Sequence, residues 1–436
     1  MRRTHVLPAP LEVTRMKFIH AADIHLDSPL RGLSRYDGAP IDELRGATRR
    51  ALKNLVDLSI EEEVDFLLIA GDIYDGDWKD HNTGLFFVSQ MAQLSDANIP
   101  VVLINGNHDA ANKMTRDLRL PNNVMCLSHR KAETAKSQRF EDLGVAIHGR
   151  SFANAVELEN LASEYPEKVA GMFNIGLLHT SLTGAEGHEP YAPCTLDDLR
   201  GRGYDYWALG HVHTRAVVCE DPFVVYPGNI QGRHIREPGP KGCYIVTTDT
   251  SGRCQLDFVE LDVARWEHVR VDVRETQSKD DVLDRCNDAL KELAGESEGK
   301  PIAVRVTLSG ATPAHQELVA DQVDATNQIR SIAMSATGNR AWLERVEYKT
   351  SKPVSFDEAD TDGPLAELFR CIAELRSDQD SLKSLSTELS DLRKKLPDEV
   401  LRGPDAIPLD KLEFLGGLVD DVQALLIQRL SEGPTE

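Results

Sequence analysis

The sequence predicts a layered α/β fold, with β-sheets flanked by helices, followed by a small α+β module and a helical C-terminal tail. Three observations predict it. Five apolar runs end in Asp, Asn or His: "KFIHAADIHLDS" (17–28), "FLLIAGDIYD" (66–75), "VVLINGNHD" (101–109), "NIGLLHTS" (174–181) and "YWALGHVHT" (206–214). They lack polar alternation, which is the pattern of strands buried on both faces. Between them apolar residues recur at helical spacing, and beyond residue 262 the pattern shifts to shorter, more polar segments.

In chain order, residues 1–15, with Pro8 and Pro10, carry no periodicity; they read as a mobile extension, with Met16 as a candidate natural start. Residues 16–262 hold the five runs. Leu44, Ala47, Ala51, Leu55 and Leu58 are spaced as one helix face, and Phe87, Met91 and Leu94 mark a second. Strand, helix, strand, helix, strand implies helices layered on a largely parallel or mixed sheet. Gly71, Gly106 and Gly210 precede the polar residues and let the backbone turn there. From 263 to 353, "EHVRVDV", "PIAVRVTLSG" and "WLERVEYKT" alternate with two helical stretches as a β-α-β-α-β module. The acidic residues 354–363 read as a linker. Residues 364–436 are helical, with Leu382, Leu385, Leu389 and Leu392 on one stripe and Leu412, Leu415, Leu418, Val422, Leu425 and Leu430 on another. The tail is either a packed bundle or a partner-docking element.

Composition narrows the function classes. With 436 residues, 41% hydrophobic and 28% charged, the chain is globular and long enough for two or three cores. Its seven cysteines form no C-x-x-C pair, which disfavours a disulfide framework or a structural zinc site and fits a reducing cytoplasm. No apolar run approaches the roughly 18 residues of a membrane span. The formal charge of −22 weighs against a simple nucleic-acid binder, whose nonspecific affinity comes from Lys and Arg on phosphates.

The chemistry gathers at the run ends. Side chains at i and i+2 of an extended segment point the same way, so Asp23 and His25 could reach one object. Asp72, Asn107, His108, His179, His211 and His213 stand at the corresponding ends, where open α/β sheets bind ligands. Carboxylates, an amide and imidazoles without a thiolate favour manganese, iron or zinc over calcium or magnesium. The candidate ligands Asp23, His25, Asp72, Asn107, His179, His211 and His213 exceed the needs of one ion. We therefore expect two divalent metal ions, manganese first, bridged by one carboxylate and suited to in-line phosphoester hydrolysis. In the loop "GNIQGRHIREPGPKG", Arg233, His234 and Arg236 are the candidate substrate-binding residues; Arg45, Arg49 and Arg50, and Arg130, Lys131, Lys136 and Arg139, are further basic clusters, which a solvated helix face also explains. Asp75 and Asp109 have helix capping as the plainer reading. His20 reads as a core histidine, and His81, His129, His148 and His188 as surface or loop residues.

"DIH", "GDIYD", "GNHD", "H" and "GHVH" resemble the five motifs of the calcineurin-like metallophosphoesterases. "HAADIHLDSPL" and "YPGNIQGRHIREPGPKGC" resemble the SbcD/YhaO-type DNA repair exonucleases within that superfamily. The resemblance covers roughly 16–260. It implies Asp23, His25, Asp72 and His213 on one ion, and Asp72, Asn107, His179 and His211 on the other. His108 would orient the scissile phosphate or protonate the leaving oxygen, its ring held by Asp75. The implied protein is a metal-dependent DNA exonuclease, with endonuclease activity open. It would act in repair or defence with an SMC-like coiled-coil ATPase, with 263–353 as a capping domain and 364–436 as the candidate docking element. A homodimer stays open. Gly76 after Asp75 and Asp109 after His108 depart from the phosphoprotein phosphatases of the superfamily. A small phosphodiester or phosphomonoester hydrolase, and a non-catalytic scaffold, are the alternatives.

Overall fold

A computed structural model describes residues 15–28, 46–75, 81–110, 118–182, 191–297, 299–353, 364–396 and parts of 409–422. The extension expected over 1–15 lies outside these residues except for Arg15, and the linker over 354–363 lies outside them entirely.

The five motif-bearing runs all form strands, but they belong to two sheets. The first has the order β12 (Cys254–Glu260), β11 (Gly242–Thr248), β1 (Met16–Ala21), β2 (Phe66–Ala70), β3 (Val101–Ile104) and β4 (Val124–Cys126). β1 to β4 are parallel neighbours, and β11 and β12 join antiparallel. The second sheet contains β5 (Glu133–Thr134), β6 (Val145–Gly149), β7 (Phe173–His179), β8 (Tyr206–Gly210), β9 (Ala216–Glu220) and β10 (Phe223–Tyr226), in the order β5-β6-β7-β8-β10-β9. β6, β7, β8 and β10 run parallel, with antiparallel edges.

Alternate side chains explain why the runs are apolar throughout. Phe18, Phe66 and Leu68 pack between the sheets with Ile147, Ile175 and Tyr206. Ile19, Leu67, Ile69 and Val101 face the other way, onto Leu52 and Leu55 of helix Ala47–Glu61 and Phe87 and Met91 of helix His81–Asp96. On the far side of the second sheet Leu178, Trp207 and Leu209 pack on Phe152, Leu161 and Tyr165. Burying each such side chain contributes about 1.5–3 kcal/mol. The order is helices, sheet, sheet, then an outer irregular layer. Both sheets present their strand ends to one place.

The glycines act for different reasons. Gly71 needs its φ of +90°. Gly210 is there for closeness: a Cβ would lie 1.9 Å from the carbonyl oxygen of Ala70, so only glycine lets β8 approach β2.

His20 is a core histidine, as expected. Its Nε2–H donates to Leu209 O at 3.1 Å, and its Nδ1 accepts from the Tyr206 hydroxyl at 3.0 Å. Burial pushes it down to about 3. The folded pKa lies below the unfolded one, so stability is present above about 6.5 and lost as pH falls towards 3. From pH 7 to pH 5 the loss from this group alone is about 2 kcal/mol. His20→Gln is expected to lower stability at pH 7 yet flatten the pH dependence by that amount, as urea unfolding at the two pH values would record; an unchanged slope refutes it. His148 corrects the surface reading. It is buried in β6, with Thr134 Oγ1 at 2.9 Å and Asn174 Oδ1 at 3.2 Å.

The chain divides into two compact units. One contains both six-stranded sheets, with described residues through Glu267 and Lys300–Ala303; the other contains His268–Gly299 and the chain from Val304. The three-stranded sheet has the order β13 (Arg265–Asp272), β14 (Ile302–Ala311), β15 (Ala341–Ser351). Helix Lys279–Glu296 starts at a capping box between Ser278 and Asp281. The second helical stretch is two helices, His315–Ala320 and Gln322–Ala336, because Asp321 caps the latter through Asp324 N. In the tail, helices Pro364–Ser377, Gln379–Glu388 and Ser390–Lys395 are described. Ile372, Leu382, Leu409, Leu415 and Val419 bury against one another, so the leucine stripe packs largely on itself. Leu425 and Leu430 lie outside the described residues.

Candidate metal centre

The first motif reaches the site by another route than extended alternation. β1 ends at Ala21, and Asp23, His25 and Asp27 take positive φ values of 51°, 45° and 56°. Three left-handed residues in a row of five are costly for non-glycine side chains, and such strain persists where surrounding contacts impose it. The contacts are backbone bonds to the second motif: Asp23 N to Gly71 O, His25 N to Asp72 O and Leu26 N to Ile73 O. Asp72 is itself at φ 51°.

All seven candidate ligands converge. Asp23, His25, Asp72, Asn107 and His179 are buried. Ligand atoms of Asp23, His25 and His213 lie within 4.8 Å of one another, as do those of Asp72, His179 and His211. His25, Asp72 and His108 form a third such group, which joins the other two through His25 and Asp72, so Asp72 is the carboxylate that lies between them. Backbone donors tie the loops together: His211 N–H donates to Asp23, and His108 N–H donates to Asp72 Oδ1 at 3.0 Å.

The donor chemistry fits divalent cations. His179 donates through Nδ1 to Ala70 O at 2.8 Å, which turns Nε2 to Asn107 Oδ1 at 3.0 Å and Asp72 Oδ2 at 3.4 Å. An imidazole lone pair, an amide oxygen and a carboxylate oxygen facing one another suit a shared cation. At the other end His25 Nε2 lies 3.1 Å from His213 Nε2, and each is 3.9 Å from a carboxylate oxygen, of Asp72 and Asp23 respectively. Burial, then the charge of Arg233, pushes His25 down to about 3, so its ring is neutral and keeps a lone pair, as a ligand would need. Burial also lowers His179, but the charge and hydrogen bond of Asp72 prevail and lift it to about 9, so a cation binding at Nε2 displaces a proton.

Beside this cluster, His108 Nδ1 lies 2.9 Å from Asp75 Oδ1, and its side chain is 37% exposed, more open than His25, His179 and His213. Burial opposes its charge, but the Asp75 bond and the charges of Asp72 and Asp75 raise His108 above its ordinary value. Asp75 also accepts from Ser28 at 2.5 Å. Arg233 reaches within 3.7 Å of Asp75. His234 lies 3.4 Å from Glu237, whereas Arg236 is exposed. Of the other basic residues, Arg49 pairs with Asp27 at 2.5 Å and Arg139 with Asp65 at 3.8 Å, so these two serve structure, and Arg45 lies outside the described residues. Asp109 accepts from Gly106 N, as a cap of the short helix Asn107–Ala110, and also from Ile73 and Tyr74 N, which straps the second and third motifs together. Glu237 was missed in the sequence; its one visible signal is its spacing of four from Arg233 in the basic loop.

The calcineurin-like phosphoesterase profile matches residues 16–215, and the profile of the metallophosphoesterase YhaO middle domain matches residues 266–351. The chain is 37% identical over 302 residues to the uncharacterized metallophosphoesterase YhaO of Bacillus subtilis (strain 168), covering 69% of this chain and 73% of that one. It is 23% identical over 361 residues to the DNA double-strand break repair protein Mre11 of Sulfurisphaera tokodaii, covering 79% and 85%. To the DNA double-strand break repair protein Mre11 of Methanopyrus kandleri it is 22% identical over 279 residues, covering 57% and 58%. The donor clusters joined through Asp72 and the YhaO relationship agree: this chain belongs to the calcineurin-like metallophosphoesterase family, as a hydrolase of the YhaO type.

Proposed function

We propose that the chain is a metal-dependent DNA exonuclease, with endonuclease activity as an extension of the same chemistry, working with an SMC-like coiled-coil ATPase. The observation that carries the reading is Asp72 standing between two donor clusters with His108 fixed beside it. When bound there, two divalent cations would polarise a phosphoryl oxygen and bring the pKa of a water near neutrality. The chain's own residues do the rest. Asp75 holds the His108 ring through Nδ1, leaving Nε2 to pass a proton to the leaving oxygen. Arg233, 13% exposed and held by Glu237 through Nη2, keeps Nη1 beside Asp75, where it would meet a non-bridging phosphate oxygen. DNA as the substrate is supported by the two Mre11 relatives, named for double-strand break repair.

The charge of −22 favours a second reading, a small phosphodiester hydrolase, and gives the ATPase its part in the first: a partner would supply the basic surface that long DNA requires. Among the described residues no helix is long and apolar enough to cross a membrane. End-labelled blunt, overhung, hairpin and single-stranded DNA, incubated in manganese with and without the ATPase, test the proposal against turnover of bis(p-nitrophenyl) phosphate. Manganese is expected to support the fastest cleavage and magnesium little, because the donors include four imidazoles. Ester turnover without any DNA cleavage selects the second reading, and full activity in magnesium refutes the metal choice. The helical tail is the proposed ATPase contact; co-purification that survives removal of residues 364–436 excludes it.

A further inference from the structure

We propose that Glu237 is the positioning residue of this centre: one carboxylate holds the His213 ring with Nε2 turned to the ligand cluster and also holds the Arg233 guanidinium beside Asp75. The inference rests on reading His213 as a ligand of a divalent cation. Glu237 belongs to none of the five motifs and lies 24 residues from His213 in the chain, yet it is 5% exposed at the centre. Both its oxygens are engaged. Oε1 lies 2.7 Å from His213 Nδ1 and 2.9 Å from an Arg233 Nη. Oε2 accepts from Arg233 N at 2.8 Å and Asn229 Nδ2 at 2.9 Å.

The proton count settles the His213 tautomer. An ionised carboxylate only accepts, and a guanidinium only donates. Both Glu237 oxygens face N–H donors that can only donate, the backbone and guanidinium of Arg233 and the amide of Asn229, so the carboxylate acts as the acceptor. His213 Nδ1 therefore donates to Glu237 at 2.7 Å, and the contact with Arg233 at 3.2 Å is proximity without a bond. That leaves the Nε2 lone pair towards His25 and Asp23, as a metal ligand needs. The loop holds the backbone as well, since Lys241 Nζ donates to His213 O at 3.1 Å. The same carboxylate thus joins a cation ligand to a phosphate-binding arginine.

Calorimetric titration of manganese into the full chain, with steady-state kinetics on bis(p-nitrophenyl) phosphate, tests the inference. Glu237→Gln keeps an acceptor but removes the charge, and is expected to weaken one of the two cations by about 10- to 100-fold and leave the other unchanged. Its KM should also rise, as Arg233 loses its anchor. Arg233→Ala is expected to raise KM with both cation affinities unchanged, which separates the two tasks. Should Glu237→Gln fail to fold, Glu237→Asp carries the same test, because it keeps the charge and draws the oxygens back by one methylene. A folded Glu237 variant that binds both cations at wild-type affinity, or weakens both equally, overturns the proposal. A wild-type chain that binds no pair of cations instead defeats the two-ion reading beneath it.

Discussion

Asp72→Ala is expected to abolish phosphodiester hydrolysis and leave neither cation bound. Asp72 is the carboxylate common to two of the donor groups, with Oδ2 3.4 Å from His179 Nε2 and 3.9 Å from His25 Nε2. Removing it withdraws a ligand and a negative charge from both cations together. Burial pushes the other ligand carboxylate, Asp23, up against the pull of His213, whereas the charge and hydrogen bond of His179 hold Asp72 low in spite of burial. Lewis-acid stabilisation is worth several kcal/mol and 1.36 kcal/mol is tenfold in rate, so the loss should be on the order of 10⁴-fold or more. Asp72 Oδ1 also accepts from His108 N–H, so Asp72→Asn is the control that keeps an acceptor while removing the charge. Elemental analysis beside kinetics decides. Turnover by Asp72→Ala with two manganese ions retained ends the bridging account.

His108→Asn is expected to differ in kind: both cations stay, KM changes little, and kcat falls about 10²- to 10⁴-fold. The ring is fixed by Asp75 at 2.9 Å and is more open than those of His25, His179 and His213, which suits a residue that acts on substrate. The size of the effect should depend on the leaving group. A nitrophenolate departs without much protonation, whereas a deoxyribose alkoxide needs a proton, so the loss should be smaller on bis(p-nitrophenyl) phosphate than on DNA. Equal losses on both substrates, or loss of a cation, would remove His108 from the acid role.

The assembly of the centre is legible in the sequence only in part. The strand ends can be read because a strand covered on both faces is apolar until it stops, and the residues just past its end meet the site and are polar: hence Asp72 after "FLLIAG" and His211 after "YWALG". For Asp23 and His25 the sequence points to the right end for the wrong reason. Left-handed backbone at both residues, held by hydrogen bonds from their N–H groups to Gly71 O and Asp72 O, turns the two side chains inward; extended alternation does not. His148 escapes a sequence reading because a lone polar residue in a short strand carries no periodic signal, while its partners Thr134 and Asn174 sit on other elements.

By itself, then, the sequence determined the five motif-bearing strands, the helices between the first three of them, the burial of those strands on both faces and the identity of the polar residues at their ends, because these depend on propensity and periodicity within a few residues. Only the tertiary structure decided that the runs divide between two sheets, that Gly210 exists to let β8 approach Ala70, that Asp72 lies between two clusters and that Glu237 grips His213 and Arg233. Most of those relations join residues far apart in the chain. They are set by which faces pack and which buried charges find partners, and a local pattern does not encode either.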